Sequence, residues 1–276
     1  MENNKMLNYI KDVLENMPSG WLNLTTHRLD IYDERLAKTQ FLEQFETLYN
    51  NNDSGPSALY QLRTAYDYIR LGHPLSCILE WTIANLNNTK AENVISFSSK
   101  TTPILAILRK NLLANRSTQI IYKDALPHFF NSKVIKDIYG YNFELKQIDN
   151  AADILAFDGS NIFISQQDDI CNFDTNENID FLLNVHSYLG SVLLVNGVAN
   201  ESYISEIQHV RRRETIAMTP VNTLSVLKEL LDPSNVPLDI TNVELDKAST
   251  IESIKKITGA PTKALVGSSG LSVQYA

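Results

Sequence analysis

Along the chain, short apolar runs alternate with stretches in which apolar residues recur at helical spacing. The runs that read as strands are NVISF (93–97), QIIY (119–122), FELKQI (143–148), NIFIS (161–165), SVLLVNGV (191–198), TIAMT (215–219) and VPLDI (236–240). Between most of them lie helical patterns: PLSCILEWTIANL, TPILAILRKNLL, NIDFLLNVHSYL, TLSVLKELL and TIESIKKI. Such alternation predicts an α/β fold with a largely parallel sheet, because parallel strands need a crossover connection and a helix is the usual one. The first 60 residues differ. They are rich in Asn and polar helix formers and end in the loop NNNDSGPS, which sets residues 1–60 apart as a helical arm before a sheet domain of residues 61–276. No internal repeat and no low-complexity linker interrupts the chain.

Composition narrows the classes of function. At 276 residues, 43% hydrophobic and 20% charged, the chain has enough apolar surface for a substantial core. A formal net charge of −8 argues against general nucleic-acid binding, which needs a basic face. The locally basic run HVRRR (209–213) reads as a solvated helix end. Two cysteines, Cys77 and Cys171, stand in no metal or disulfide spacing, so the expectation is no metal and a reducing, cytoplasmic setting. The start MENNKMLNYIKDVLENM is amphipathic and lacks an apolar signal core, and no apolar run is long enough to span a bilayer.

In open α/β sheets, ligands collect at the carboxyl ends of strands and the amino ends of the helices that follow. NVISF runs into Ser98-Ser99-Lys100-Thr101-Thr102, and Pro103 then opens a helix where its missing N–H costs nothing. Free N–H groups, hydroxyls and the Lys100 ammonium there make an anion site, suited to a phosphate. The plainer reading is that Thr101 or Thr102 is an N-cap.

Upstream stands Tyr68-Ile69-Arg70-Leu71-Gly72-His73-Pro74-Leu75. Followed by a helix, a strand, a Ser/Thr turn and a second helix, it resembles the pyridoxal-phosphate enzymes of cysteine and methionine metabolism, the cystathionine γ-synthase and γ-lyase group. The family's stretch is Tyr-x-Arg-x-x-Asn-Pro-Thr, with His73 and Leu75 here in place of Asn and Thr. Lys100 replaces a Gly in the family's Ser/Thr-Gly-Met turn. Thr219-Pro220-Val221-Asn222 resembles Ser/Thr-Pro-x-Asn-Pro, Val236-Pro237-Leu238-Asp239-Ile240-Thr241 resembles Val-Val-Asp-Asn-Thr, and Ala260-Pro261-Thr262-Lys263 resembles Ser-x-Thr-Lys.

The resemblance implies an aspartate-aminotransferase-like fold (PLP fold type I), three-layered with a mostly parallel sheet, and pyridoxal 5'-phosphate as cofactor. It implies that Tyr68, Arg70, Ser99, Lys100, Thr101 and Thr262 serve the phosphate, with Tyr68 and Arg70 reaching a neighbouring subunit. Asp239, with Thr241 beside it, would pair the pyridine nitrogen; Asn222 would orient a small amino-acid substrate; Lys263 would be the Schiff-base lysine. His128 or Phe129 is the nearest aromatic for stacking on the ring. The implied chemistry is β- or γ-elimination or replacement at a sulfur or oxygen leaving group, in a homo-oligomer or with a complementing chain. Two alternatives stay open. Ser191–Gly197 can be matched to the Asp-bearing strand instead, leaving Asn196 where Asp is required, whereas the Asp239 match treats residues from about 150 to 213 as an insertion. The chain also stops soon after Lys263, without the family's C-terminal domain, which suits a fragment, a split enzyme or a non-catalytic partner subunit.

Overall fold

The computed structural model describes residues 2–23, 34–62, 72–123, 125–167, 169–234 and 243–259. Its helices are α1 (Glu2–Asn16), α2 (Glu34–Asn50), α3 (Pro56–Gln61), α4 (Pro74–Leu86), α5 (Thr102–Leu113), α6 (Ser132–Asp137), α7 (Ile204–Glu214), α8 (Pro220–Leu231) and α9 (Val243–Thr258). Its strands are β1 (Val94–Phe97), β2 (Thr118–Lys123), β3 (Glu144–Ile148), β4 (Ser160–Gln166), β5 (Phe181–His186) and β6 (Gly190–Val195).

The six strands form one sheet in the order β1-β6-β5-β4-β2-β3. The β2/β3, β2/β4 and β4/β5 pairs are parallel, and β6 runs antiparallel to both neighbours. The expected mixed α/β architecture with a mostly parallel sheet is therefore present. Residues alternate between two apolar layers. Val94, Ile121, Phe163, Leu182 and Leu194 face the layer built with α1, α2, α4 and α8. Ile95, Ile120, Ile162, Leu183 and Leu193 face the layer built with α5, α6 and α7. Tyr9 and Val13 of α1 and Phe41 and Phe45 of α2 are buried within the first layer.

Two expectations of secondary structure are corrected. NIDFLLNVHSYL is not a helix: its centre is β5, and a tight turn follows. Every residue from Phe181 to His186 is buried, because β5 lies between β4 and β6 with helices on both faces. A short run buried on both faces carries no period that separates strand from helix. TIAMT is not a strand either. Residues 215–219 are a buried connection between α7 and α8, whose Ile216 carbonyl accepts from Ser98 N at 3.2 Å and whose Ala217 carbonyl accepts from Ser98 Oγ at 2.8 Å. The stretch from about 150 to 213 supplies β4, β5, β6 and α7.

The outer edge of β1 is sealed by charge. Glu80, in the middle of apolar α4, accepts from Ser96 N (2.8 Å) and Ser96 Oγ (2.7 Å). Arg211 Nη1 donates to Glu80 Oε1 (2.9 Å) and to the Ser96 carbonyl (3.1 Å). Lys38 Nζ meets Glu80 Oε2 at 2.7 Å and the Val94 carbonyl at 2.9 Å. All three ionic residues are buried, so the HVRRR run is not simply a solvated helix end: Arg211 turns inward. Burial pushes the Glu80 carboxyl up, but Lys38, Arg211 and the Ser96 N–H outweigh it and hold the group below its ordinary value.

Candidate functional site

The carboxyl end of β1 meets the hairpin between β5 and β6. Phe97 pairs with Ser191 and His186 with Gly190, so the turn 187–189 projects beside the 98–101 segment. Gly190 is required there. Its φ is 130°, and a Cβ on it would stand 2.3 Å from the Phe97 carbonyl oxygen. His186 closes the turn from within, its Nδ1 accepting from Tyr188 N at 3.0 Å and Leu189 N at 3.1 Å.

Two sequence candidates, Lys100 and Asn222, reach this turn, and Ser99 and Phe129 lie next to Lys100. Ser99 Oγ accepts from Thr102 N (3.1 Å), Thr101 N (3.3 Å) and Thr102 Oγ1 (2.8 Å), so Ser99, not Thr101 or Thr102, caps the start of α5. The Ser99 carbonyl accepts from Ser191 Oγ at 2.7 Å. Lys100 Nζ donates to the Ser187 carbonyl and lies 5.9 Å from the centre of the Phe129 ring. Its partial burial pulls the ammonium below the ordinary lysine value. Asn222, in the first turn of α8, donates from Nδ2 to the Leu189 carbonyl at 3.0 Å. Thr219 caps that helix through a bond from Asn222 N at 3.3 Å, with Pro220 next in the first turn. Lys100 and Asn222 therefore reach one hairpin from opposite layers.

His73 joins the same end of the sheet. It caps α4 through a bond from Ser76 N to His73 Nδ1 (3.1 Å), and the Ser76 hydroxyl returns the bond to His73 N (3.0 Å). Because Nδ1 accepts, Nε2 carries the proton and donates to the Met218 carbonyl at 2.6 Å. Burial lowers the His73 pKa to about 4, against an opposing contribution from that bond.

The donor set at this site suits a phosphate dianion chemically: two backbone N–H groups at a helix start, the hydroxyls of Ser99 and Thr102, and the Lys100 ammonium. In this structure those donors bond to Ser99 and Ser187, so an anion has to exchange with them.

Tyr68, Arg70, Asp239, Thr241, Thr262 and Lys263, and the run VPLDI, lie outside the described residues. Asn196 does not face the 98–101 turn. It follows the carboxyl end of β6, which runs antiparallel to β1 and ends beside Val94, and its Nδ2 bonds to the Ile179 carbonyl at 2.7 Å. Sequence reading missed the Lys38–Glu80–Arg211 cluster. Its one signal is Glu80, the only charge in PLSCILEWTIANL. Among the described residues, no cluster of His, Cys, Asp and Glu could hold a metal ion, and no helix is long and apolar enough to cross a membrane.

No family model and no curated protein matches the chain. Solved structures similar to it include metB from Corynebacterium glutamicum, with 11% identity and a TM-score of 0.44 over 92% of this chain and 69% of that one. Cystathionine gamma-lyase from yeast gives 11% identity and a TM-score of 0.46 over 81% and 62%. Cystathionine gamma synthase from Xanthomonas oryzae pv. oryzae gives 10% and 0.44 over 92% and 69%. Overlaps and identities this low leave the functional assignment to the chain's own residues.

Proposed function

We propose that this chain binds pyridoxal 5'-phosphate at the carboxyl end of its sheet and acts as a lyase or transferase on a sulfur- or oxygen-substituted amino acid. The observation that carries the reading is that Lys100 and Asn222, far apart in sequence and both singled out by the resemblance, anchor on the same turn 187–189, with Ser99 next to Lys100 and the Phe129 ring 5.9 Å from its ammonium. In this reading Ser99, Lys100 and Thr101 hold the phosphate together with Tyr68, Arg70 and Thr262. Asp239, with Thr241 beside it, holds the pyridine nitrogen protonated, Asn222 orients the substrate, and Lys263 takes the covalent attachment and then removes the substrate α-proton. When bound, the cofactor would supply an electron sink for the electron pair that deprotonation leaves at the α-carbon.

A second reading has its own support. The Lys100 ammonium, the Asn222 amide and the N–H groups of Thr101 and Thr102 all have partners within the protein, as in a non-catalytic subunit that packs on an active relative. Absorbance separates the two. A lysine-bound cofactor absorbs at about 420 nm, and borohydride reduction followed by peptide mapping is expected to mark Lys263, with the mark lost in Lys263→Ala. A protein that stays colourless with added cofactor, or a mark on Lys100, overturns the catalytic reading.

A further inference from the structure

The two edges of the sheet are treated differently. The β1 edge is closed by Lys38, Glu80 and Arg211, whose side chains occupy its outward backbone groups. β3 ends the sheet at the other side, and among the described residues no further strand pairs with it. A strand at the end of a sheet is a template for another strand that can adopt its register, and Glu144 and Leu145 of β3 are exposed.

We infer that the β3 edge is a self-association site, at which a second copy of this chain adds its own β3 antiparallel across a two-fold axis at Leu145. A lysine on an edge strand ordinarily discourages pairing, and β3 carries Lys146. Its sequence, Glu144-Leu145-Lys146, is self-complementary at one register only. When the axis passes through Leu145, Glu144 of each copy stands opposite Lys146 of the other, and the two leucines meet. Displacing the axis to Glu144 sets glutamate against glutamate, and displacing it to Lys146 sets lysine against lysine. Pairs of unlike parity are excluded because they would bring opposite faces of the two sheets together. Opposite charges directly across a pair of strands stabilise it and like charges destabilise it, so charge selects the Leu145 register.

The faces agree with this arrangement. Leu145 pairs with Ile120 and so lies on the side of α6, where Val134 and Ile138 are exposed with it (38%, 37% and 73%). A perpendicular two-fold keeps each face on its own side, so the apolar groups of the two copies meet on one side. Glu144 and Lys146 lie on the other, since Lys146 pairs with Ile121 of the opposite layer. The inference does not rest on the proposed cofactor.

Sedimentation velocity of the full chain without added cofactor tests it. The wild-type chain is expected to dimerise, and Glu144→Lys or Lys146→Glu alone to weaken the dimer about tenfold or more, since each turns two attractive pairs repulsive. An equimolar mixture of the two variants is expected to recover a heterodimer, because every cross-strand pair is then opposite in charge. Circular dichroism checks that both variants fold, and Leu145→Asp is expected to remove the dimer by a route independent of the charges. A wild-type chain monomeric up to roughly 100 µM, a dimer indifferent to all three changes, or a mixture no more associated than its components overturns the inference.

Discussion

Arg211 meets Glu80 at 2.9 Å across the outer edge of β1, joining α7 to α4 although 131 positions separate them in sequence. With Lys38 on the other carboxylate oxygen, the cluster closes the sheet edge and ties α2, α4 and α7 to it. Burying three charges gains little over an apolar core of the same shape, but removing one partner strands the others.

Glu80→Gln is therefore expected to destabilise the protein by about 3–5 kcal/mol, read from the urea unfolding midpoint. The folded-state pKa of Glu80 is depressed, so its contribution is complete above the ordinary value of 4.5 and is lost as pH falls through the lower folded value. Acid unfolding of the wild type is expected to steepen as pH falls below 4.5 toward the lower folded value, and the variant is expected to lack this component.

His73 makes a separate forecast. It titrates at 6.5 when unfolded and at about 4 when folded, so the unfolded chain binds the extra proton between those values. Stability then falls as pH drops from 6.5 toward 4, by up to about 3 kcal/mol, and levels off below. His73→Asn keeps a good N-cap but cannot titrate, and is expected to flatten the stability profile across that window. An unchanged slope would remove His73 as its source.

Gly190→Ala tests the hairpin. The left-handed backbone and the approach to the Phe97 carbonyl are both incompatible with a Cβ, so the variant is expected to lose about 2 kcal/mol or more in the same unfolding assay. If it does bind pyridoxal phosphate, its affinity is expected to fall too, because Lys100 and Asn222 both anchor on this turn.

Five of the seven expected strands, at β1, β2, β3, β4 and β6, were legible because each is a β-branched or apolar run bounded by turn residues. The helices α4 and α5 were legible for a related reason, since each begins with a proline in its first turn next to a capping position, whereas α8 was legible from its apolar period and its start at Pro220 was not. At the site, the Ser/Thr turn after β1 could be read as a helix beginning at a strand end, and Thr219–Asn222 through its resemblance to the family's Ser/Thr-Pro-x-Asn-Pro turn. Their partners could not, because Ser187 and Leu189 are recognised only as backbone carbonyls, which no sequence pattern marks.

Local periodicity and capping chemistry were enough to set the α/β alternation and the starts of α4 and α5. Long-range packing decided that 181–186 is a central strand rather than a helix, since burial on both faces erases the period. It also decided that β6 runs antiparallel, which carries Asn196 to the end of the sheet opposite the 98–101 turn. And it decided that Arg211 of a basic run turns inward, because a charge is buried only where long-range folding brings its counter-charge to meet it.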